Sequence, residues 1–276
     1  MFIFIRATNR DLSNQENIQH GRREMTLLKK LLAILITATF ATVSYGSDET
    51  SEGPQAIATL AATCFINEGA DEDDVEDALE SLSKWAKKNH PGLLSALTPA
   101  FRAANESEYG DIILQSWMPF DSVGKFDEAI EEGDFQEDLQ EAITCKGSSL
   151  GGWYGYYMSE SFQGVDSGVV AYQHCSTLEG VSGKTVGEYA SQEAAQIAEA
   201  GFDGVLAYMD RGVGDRNLPG DFSKVYAWPS MGSFANAANN FWNNNGWEFD
   251  EEFQSKVAKC GSGNIYRFRN LHRAAQ

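Results

Sequence analysis

Between residues 57 and 67, small, β-branched and polar side chains alternate, which predicts a strand closed by Gly69. The period then changes. Val75, Leu79, Leu82 and the pair Trp85-Ala86 recur at helical spacing, and Asp71 or Asp73 can cap the helix. Asp74, Glu76 and Asp77 suit its positive N-terminus, and His90-Pro91-Gly92 ends it. Residues 93–102 and 111–118 read as two strands joined by a polar loop. Ser122 opens a second helix, broken near Gly133, that runs to Cys145 and stops at Gly147; residues 153–158 form a last strand.

The same order follows a second time. Residues 169–178, 205–211, 224–228 and 265–271 read as strands, 185–200 as a helix and 233–259 as a broken helix, with 159–168 as a linker. Setting Cys64 on Cys175, an offset of 111, places Trp117 on Trp228 and Ser122 on Ser233 without a gap. DIILQSWMPFDS then faces FSKVYAWPSMGS, and FQEDLQEAITCKGS answers FQSKVAKCGSG. The second copy carries about four extra residues near 243–250. The chain is an internal duplication, with expected units at 47–165 and 166–276.

Each copy is a βαββαβ unit. That order resembles the ferredoxin-like fold, and its doubling resembles the dimeric α+β-barrel superfamily, in which two such sheets face each other across one interior. The expected class is therefore α+β, two tandem ferredoxin-like repeats closing a barrel. The likeness is one of element order and brings no catalytic residue with it. Cys64 falls late in its strand and Cys145 at a helix end on the same side of the unit. Of three possible connectivities, this topology favours Cys64–Cys145 and Cys175–Cys260.

Alternation along the strands selects candidates for the interior. If Cys64 and Cys175 point to the helices, then Ala61, Thr63 and Phe65 face inward, as do Tyr172, His174 and Ser176. In the third strands the bulkier and more polar faces are assigned inward. The expected lining is Gln115, Trp117, Tyr172, His174, Lys224, Tyr226 and Trp228, with Arg211 of the stretch MDRGVGDRNLPGD at the mouth as an anion contact. His174 is the histidine placed in a core strand, His90 lying at a helix end and His272 near the C-terminus. NNFWNNNGW, unique to the second copy, reads as a loop whose Trp242 and Trp247 can stack on a sugar or an aromatic ligand beside amide groups.

The N-terminal residues alter the picture of where this unit works. From Met25, the basic pair Lys29-Lys30 precedes an uncharged apolar run, 31–40, and Ser44 and Gly46 occupy positions −3 and −1 of a cut after Gly46. This is the pattern of a secretory signal, with Met25 as the expected start. Its apolar run is shorter than a spanning helix needs. The whole chain carries a net charge of −19. Loss of residues 1–46 makes it more negative, which disfavours nucleic acid and anionic lipid. Four cysteines in an exported chain read as two disulfides, and their spacing lacks a zinc pattern. Asp71-Glu72-Asp73-Asp74 lacks the spacing of a calcium loop, so helix capping explains it. No hydrolase elbow, zincin, phosphate-loop or dinucleotide pattern occurs.

The sequence thus points to a periplasmic or secreted monomer that binds a small molecule or partner without catalysis and without a cofactor. The alternatives are an enzyme of the kind the barrel resemblance implies (a cofactor-independent monooxygenase, an isomerase or a haem-handling protein using His174) and a structural envelope protein. N-terminal sequencing of the protein recovered from outside the cytoplasm is expected to read from Ser47; a first residue upstream of Met25 would refute both the cut and the start.

Overall fold

The strand periods produce one closed sheet, and the helices cover its outside. The computed structural model describes residues 57–101, 110–210, 212–214, 220–244 and 246–274. The first repeat comprises β1 (Ile57–Ile66), α1 (Glu72–Asn89), β2 (Leu93–Phe101), β3 (Ile112–Pro119), α2 (Val123–Glu131), α3 (Gln136–Ala142), β4 (Ile143–Gly151) and β5 (Trp153–Met158). The second comprises β6 (Ser167–Thr177), α4 (Gly183–Glu199), β7 (Val205–Asp210), β8 (Val213–Gly214) and β9 (Phe222–Trp228). It continues through α5 (Met231–Asn243), α6 (Gly246–Lys256), β10 (Ala258–Cys260) and β11 (Asn264–Arg273). Among the described residues no helix is long and apolar enough to cross a membrane.

Local chemistry explains the helix boundaries. Asp71 caps α1 by accepting from the backbone N–H groups of Asp73 and Asp74, and Asp74 reciprocates on the N–H of Asp71 at 2.9 Å. This closed capping box accounts for the acidic run without a metal. Ser182 caps α4 in the same place of the second copy. The break foreseen at Gly133 separates α2 from α3: the Phe135 ring lies where a Cβ on Gly133 would stand, 2.3 Å away.

The strands run in the order β4-β1-β3-β2 in the first repeat and β11-β6-β9-β7 in the second, the ferredoxin-like order twice. Each fourth strand then leaves its own repeat. β11 pairs with β6 from Asn264↔Tyr172 to Arg269↔Ser167, and its other edge pairs with β2 from Ile265↔Phe101 to Arg273↔Leu93. On the far side, β4 pairs with β1, and after Gly152 the chain continues as β5, which pairs with β7. The sheet therefore closes on itself as an α+β barrel, and these edges find partners within the chain.

Alternation sorts the side chains into three cores. Ala58, Leu60, Ala62 and Cys64 of β1 pack outward against Val75, Leu79 and Leu82 of α1. The outward face of the second repeat packs Cys175, Leu206, Tyr208 and Phe222 against α4 and α6. The interior is filled by Leu97, Val170, Tyr172, Val205, Ala207, Val225, Ala227, Tyr266 and Phe268. A barrel of this size holds side chains rather than a channel.

Both disulfides, Cys64–Cys145 and Cys175–Cys260, have the expected pairing. Their setting differs from the sequence expectation. Cys145 and Cys260 are strand residues, not helix ends, and stand directly opposite Cys64 and Cys175 in antiparallel ladders. The apolar run at Ala142–Ile143 suits either element, so pattern alone extended the helix too far. Each bridge closes a separation of 81 or 85 residues. Such loops are worth about 4–5 kcal/mol in lost unfolded-chain entropy.

One residue decides which aromatics face inward. Cys64 pairs across to Ile112, whereas Cys175 pairs to Phe222, an interval one residue shorter. Structurally, Trp117 therefore matches Ala227, and Met118 matches Trp228. A one-residue offset exchanges the two faces of a strand. Lys224, Tyr226 and Trp228 accordingly point outward to the helices, contrary to the sequence expectation, while Val225 and Ala227 line the interior. Trp228 packs edge-on against Phe234 of α5.

Lys224 thereby enters the helix-side core. Its Nζ lies 3.0 Å from Glu193 of α4, with the two side chains 2% and 8% exposed. Tyr226 donates to Glu193 Oε1 at 2.6 Å, and Tyr208 donates to Oε2. The Phe253 ring stands 4.5 Å from the ammonium. By the shared cap positions, Glu193 matches Leu82; by the strand register, Lys224 matches Leu114. A buried ion pair in one repeat thus replaces an apolar pair in the other. Lys224→Met is expected to lower unfolding free energy by about 3–5 kcal/mol, because it strands a buried carboxylate. Lys84→Met breaks the exposed Glu80 pair and is expected to cost under about 1 kcal/mol. Denaturant titration of both variants checks the contrast.

Candidate functional site at the barrel mouth

Four antiparallel steps separate β1 from β6 through β3, β2 and β11, so the two strands run in the same direction. Their C-terminal ends define one mouth of the barrel. The last inward residues there that still pair with β3 and β9 are Thr63 and His174, with Phe65 and Ser176 of the same parity beyond them; Thr63 and His174 are both half-buried. His174 Nδ1 lies 2.9 Å from Ser223 Oγ, directly across the β6–β9 ladder. Ser223 is 2% exposed, so its oxygen orients the ring and is not offered to solvent. One pleat deeper, Tyr172 donates its hydroxyl to Gln115 Oε1 across the interior. Burial pushes the Tyr172 phenol well above its ordinary range, which keeps it a donor at all working pH. Tyr266 packs edge-on to Tyr172 at 5.8 Å, and this layer forms the floor.

Of the residues expected to line the interior, the structure brings Gln115, Trp117, Tyr172 and His174 to the inward face. Trp117 lies farthest from this mouth, opposite Thr59 and Leu93, and is half-buried. Tyr226, Trp228 and Lys224 are excluded by the register offset. Arg211 lies outside the described residues. Its predecessor Asp210 ends β7 at this same mouth and accepts from the Gly212 N–H at 3.2 Å.

The corners of the mouth are fixed by residues that sequence analysis missed. Gly110, at φ +66°, and Gly220, at φ +89°, each turn the chain so closely that an added Cβ would stand 2.4 Å from the carbonyl oxygen of Cys64 or Cys175. Glycine is required there. The next residues, Asp111 and Asp221, donate their N–H groups to those same carbonyls at 2.8 and 2.7 Å. Their carboxylates accept from the N–H groups of Ile66 at 3.0 Å and Thr177 at 2.8 Å. The recurring Gly-Asp pair, at an offset of 110, was the signal available in the sequence.

A second histidine cluster lies on the helix side of the first repeat. Gly92 N–H donates to His90 Nδ1 at 3.0 Å, so the proton sits on Nε2, which donates to Ser116 Oγ at 2.5 Å. His272 Nε2 donates to the His90 carbonyl at 3.0 Å, and the two rings lie 5.8 Å apart. Both ring nitrogens of His90 are thus engaged by the protein.

No family model matches the chain, and no curated protein matches it. Solved structures do. A candidate monooxygenase of Lactobacillus acidophilus shares 11% identity at a TM-score of 0.51, covering 80% of this chain and 97% of its own. An anthrone oxidase-like protein shares 12% at 0.49, covering 82% and 98%. A haem-binding protein from Thermus thermophilus shares 9% at 0.47, covering 78% and 91%. At these identities the likeness is one of fold, the dimeric α+β barrel. Among the described histidines, both ring nitrogens of His90 are engaged, His272 Nε2 donates to a backbone carbonyl, and Tyr172 and Gln115 fill the interior beneath His174.

Burial, reinforced by the neighbouring His272, lowers His90 from 6.5 to about 4. The unfolded chain therefore takes up this proton before the folded one does. The stabilisation is complete above pH 6.5 and is lost as pH falls through 4, to the extent of roughly 3 kcal/mol. In His90→Gln that part of the pH dependence is expected to vanish, as measured by denaturant unfolding at pH 7 and pH 4.

Proposed function

We propose that this is an exported, non-catalytic protein that holds a small molecule at the mouth of its barrel. The observation that carries this reading is the His174–Ser223 pair, 2.9 Å apart and half-open on a strand tied down by a disulfide at the very next residue. A ring oriented before a ligand arrives loses little freedom on binding. Catalysis by a serine is disfavoured because Ser223 Oγ lies in the core. A half-buried polar ring beside apolar walls is a common composition for small-molecule sites. The sequence expectation of Arg211 as an anion contact inclines the reading toward a ligand bearing a carboxylate or another anionic group.

Export rests on the signal pattern before Ser47 together with the two disulfides, which persist in oxidising compartments. In solution the protein is taken to be a monomer, because duplication supplies both halves of the barrel in one chain.

Native mass spectrometry of protein purified from its own compartment is expected to show a bound mass that denaturation releases. In His174→Ala and Arg211→Ala the bound fraction is expected to fall at least about tenfold, while thermal stability changes little. A ligand-free native protein, or retention in both variants, would overturn the proposal. Added haemin is expected to give no Soret shift; a stoichiometric one would restore the haem alternative.

A further inference from the structure

The two repeats differ most in the helices after their third strands. α2 has 9 residues where α5 has 13, and α3 has 7 where α6 has 11. Counted from the matched third strands to the second cysteines, 27 residues from Met118 to Cys145 and 32 from Trp228 to Cys260, the second repeat has gained about one turn in all. The first repeat builds its half of the barrel without this turn, so the fold does not need it. The elbow around it is apolar and exposed. Phe241 and Trp242 occupy the last turn of α5 and Trp247 the first turn of α6, with relative exposures of 41%, 67% and 40%. Exposed aromatics gathered in one place mark a contact surface more often than an accident of composition.

This elbow has a fixed form. The Phe241 ring rests on Gly246, where a Cβ would stand 2.3 Å from the ring. Trp242 stands perpendicular to Phe241, with centroids 5.5 Å apart. Asn244 folds back on α5, its side-chain amide donating to the Asn240 carbonyl at 3.0 Å. The 13 residues of α5, MGSFANAANNFWN, contain no charge, in a chain of net charge −19. The exposed side chains of Asn239, Asn240 and Asn243 supply both donors and acceptors.

We propose that the α5–α6 elbow binds a neutral carbohydrate chain. Sugar rings present C–H faces that stack on Trp242 and Trp247 and hydroxyls that pair with the asparagine amides, the division of labour aromatic surfaces with polar rims perform. Charge decides against the other occupants. Exposed Glu248, Glu251 and Glu252 follow on α6 and repel anionic lipid and nucleic acid. A second copy would bring another −19 to the contact. A neutral polyhydroxylated chain incurs no such repulsion.

Intrinsic tryptophan fluorescence and calorimetry with chitohexaose, cellohexaose and maltohexaose provide the test. Saturable binding of at least one of them is expected, weakened about tenfold or more by Trp242→Ala and by Trp247→Ala. His174→Ala is expected to bind the same sugar unchanged, which separates this surface from the mouth. Trp242→Ala is expected to melt with the parent, since its side chain is largely in solvent. Three results would overturn the proposal: no binding of any of the three sugars, binding unaffected by both tryptophan variants, or a concentration-dependent dimer abolished by Trp242→Ala.

Discussion

Closure of the sheet governs this molecule. β11 bonds to its own repeat through β6 and to the other repeat through β2, and β4 with its continuation β5 does the reverse. Each half supplies its own four-strand order, and its edges are covered by strands of the other. The interior core, from Leu97 to Phe268, is assembled from both halves at once. The helices then have a continuous curved surface to cover, and the mouth has a defined rim. Each later feature depends on that circle of strands.

Within it the two halves have diverged in kind. The first fills its helix-side core with leucines and spends a histidine, His90, on a buried hydrogen bond to Ser116. The second sets a Glu193–Lys224 pair among Tyr208, Tyr226 and Phe253. Buried ion pairs seldom stabilise more than the apolar groups they replace, so their benefit is in specifying one arrangement. The mouth is also unequal. Thr63 holds in the first half the place that His174 holds in the second, so the candidate chemistry is one-sided on a near-symmetric frame.

Much of the architecture could be read from the chain, because the periods of two and 3.6 recur twice. The caps at Asp71 and Ser182 mark helix starts, and the even cysteines mark the staples. What could not be read was the register. The net one-residue difference combines one residue gained before the second strand and two lost between the second and third, in connections without a period to count. It turned Lys224, Tyr226 and Trp228 to the wrong face while leaving Gln115 and Tyr172 correct. Cys145 and Cys260 were misplaced for a related reason: helix end and strand start share the same apolar residues there. The burial of His90 left no local mark either, since its partner Ser116 is contributed by a strand 26 residues away.

At each corner of the mouth, three neighbouring strands are tied crosswise. Sulfur joins β1 to β4 and β6 to β10, while the aspartates at 111 and 221 hold the opposite edges of β1 and β6. Strands secured on both sides cannot slide or splay to admit a larger guest. Width at these two corners is consequently held by sulfur on one side and hydrogen bonds on the other, so for the ligand proposed above selection begins with size, before any polar group is consulted.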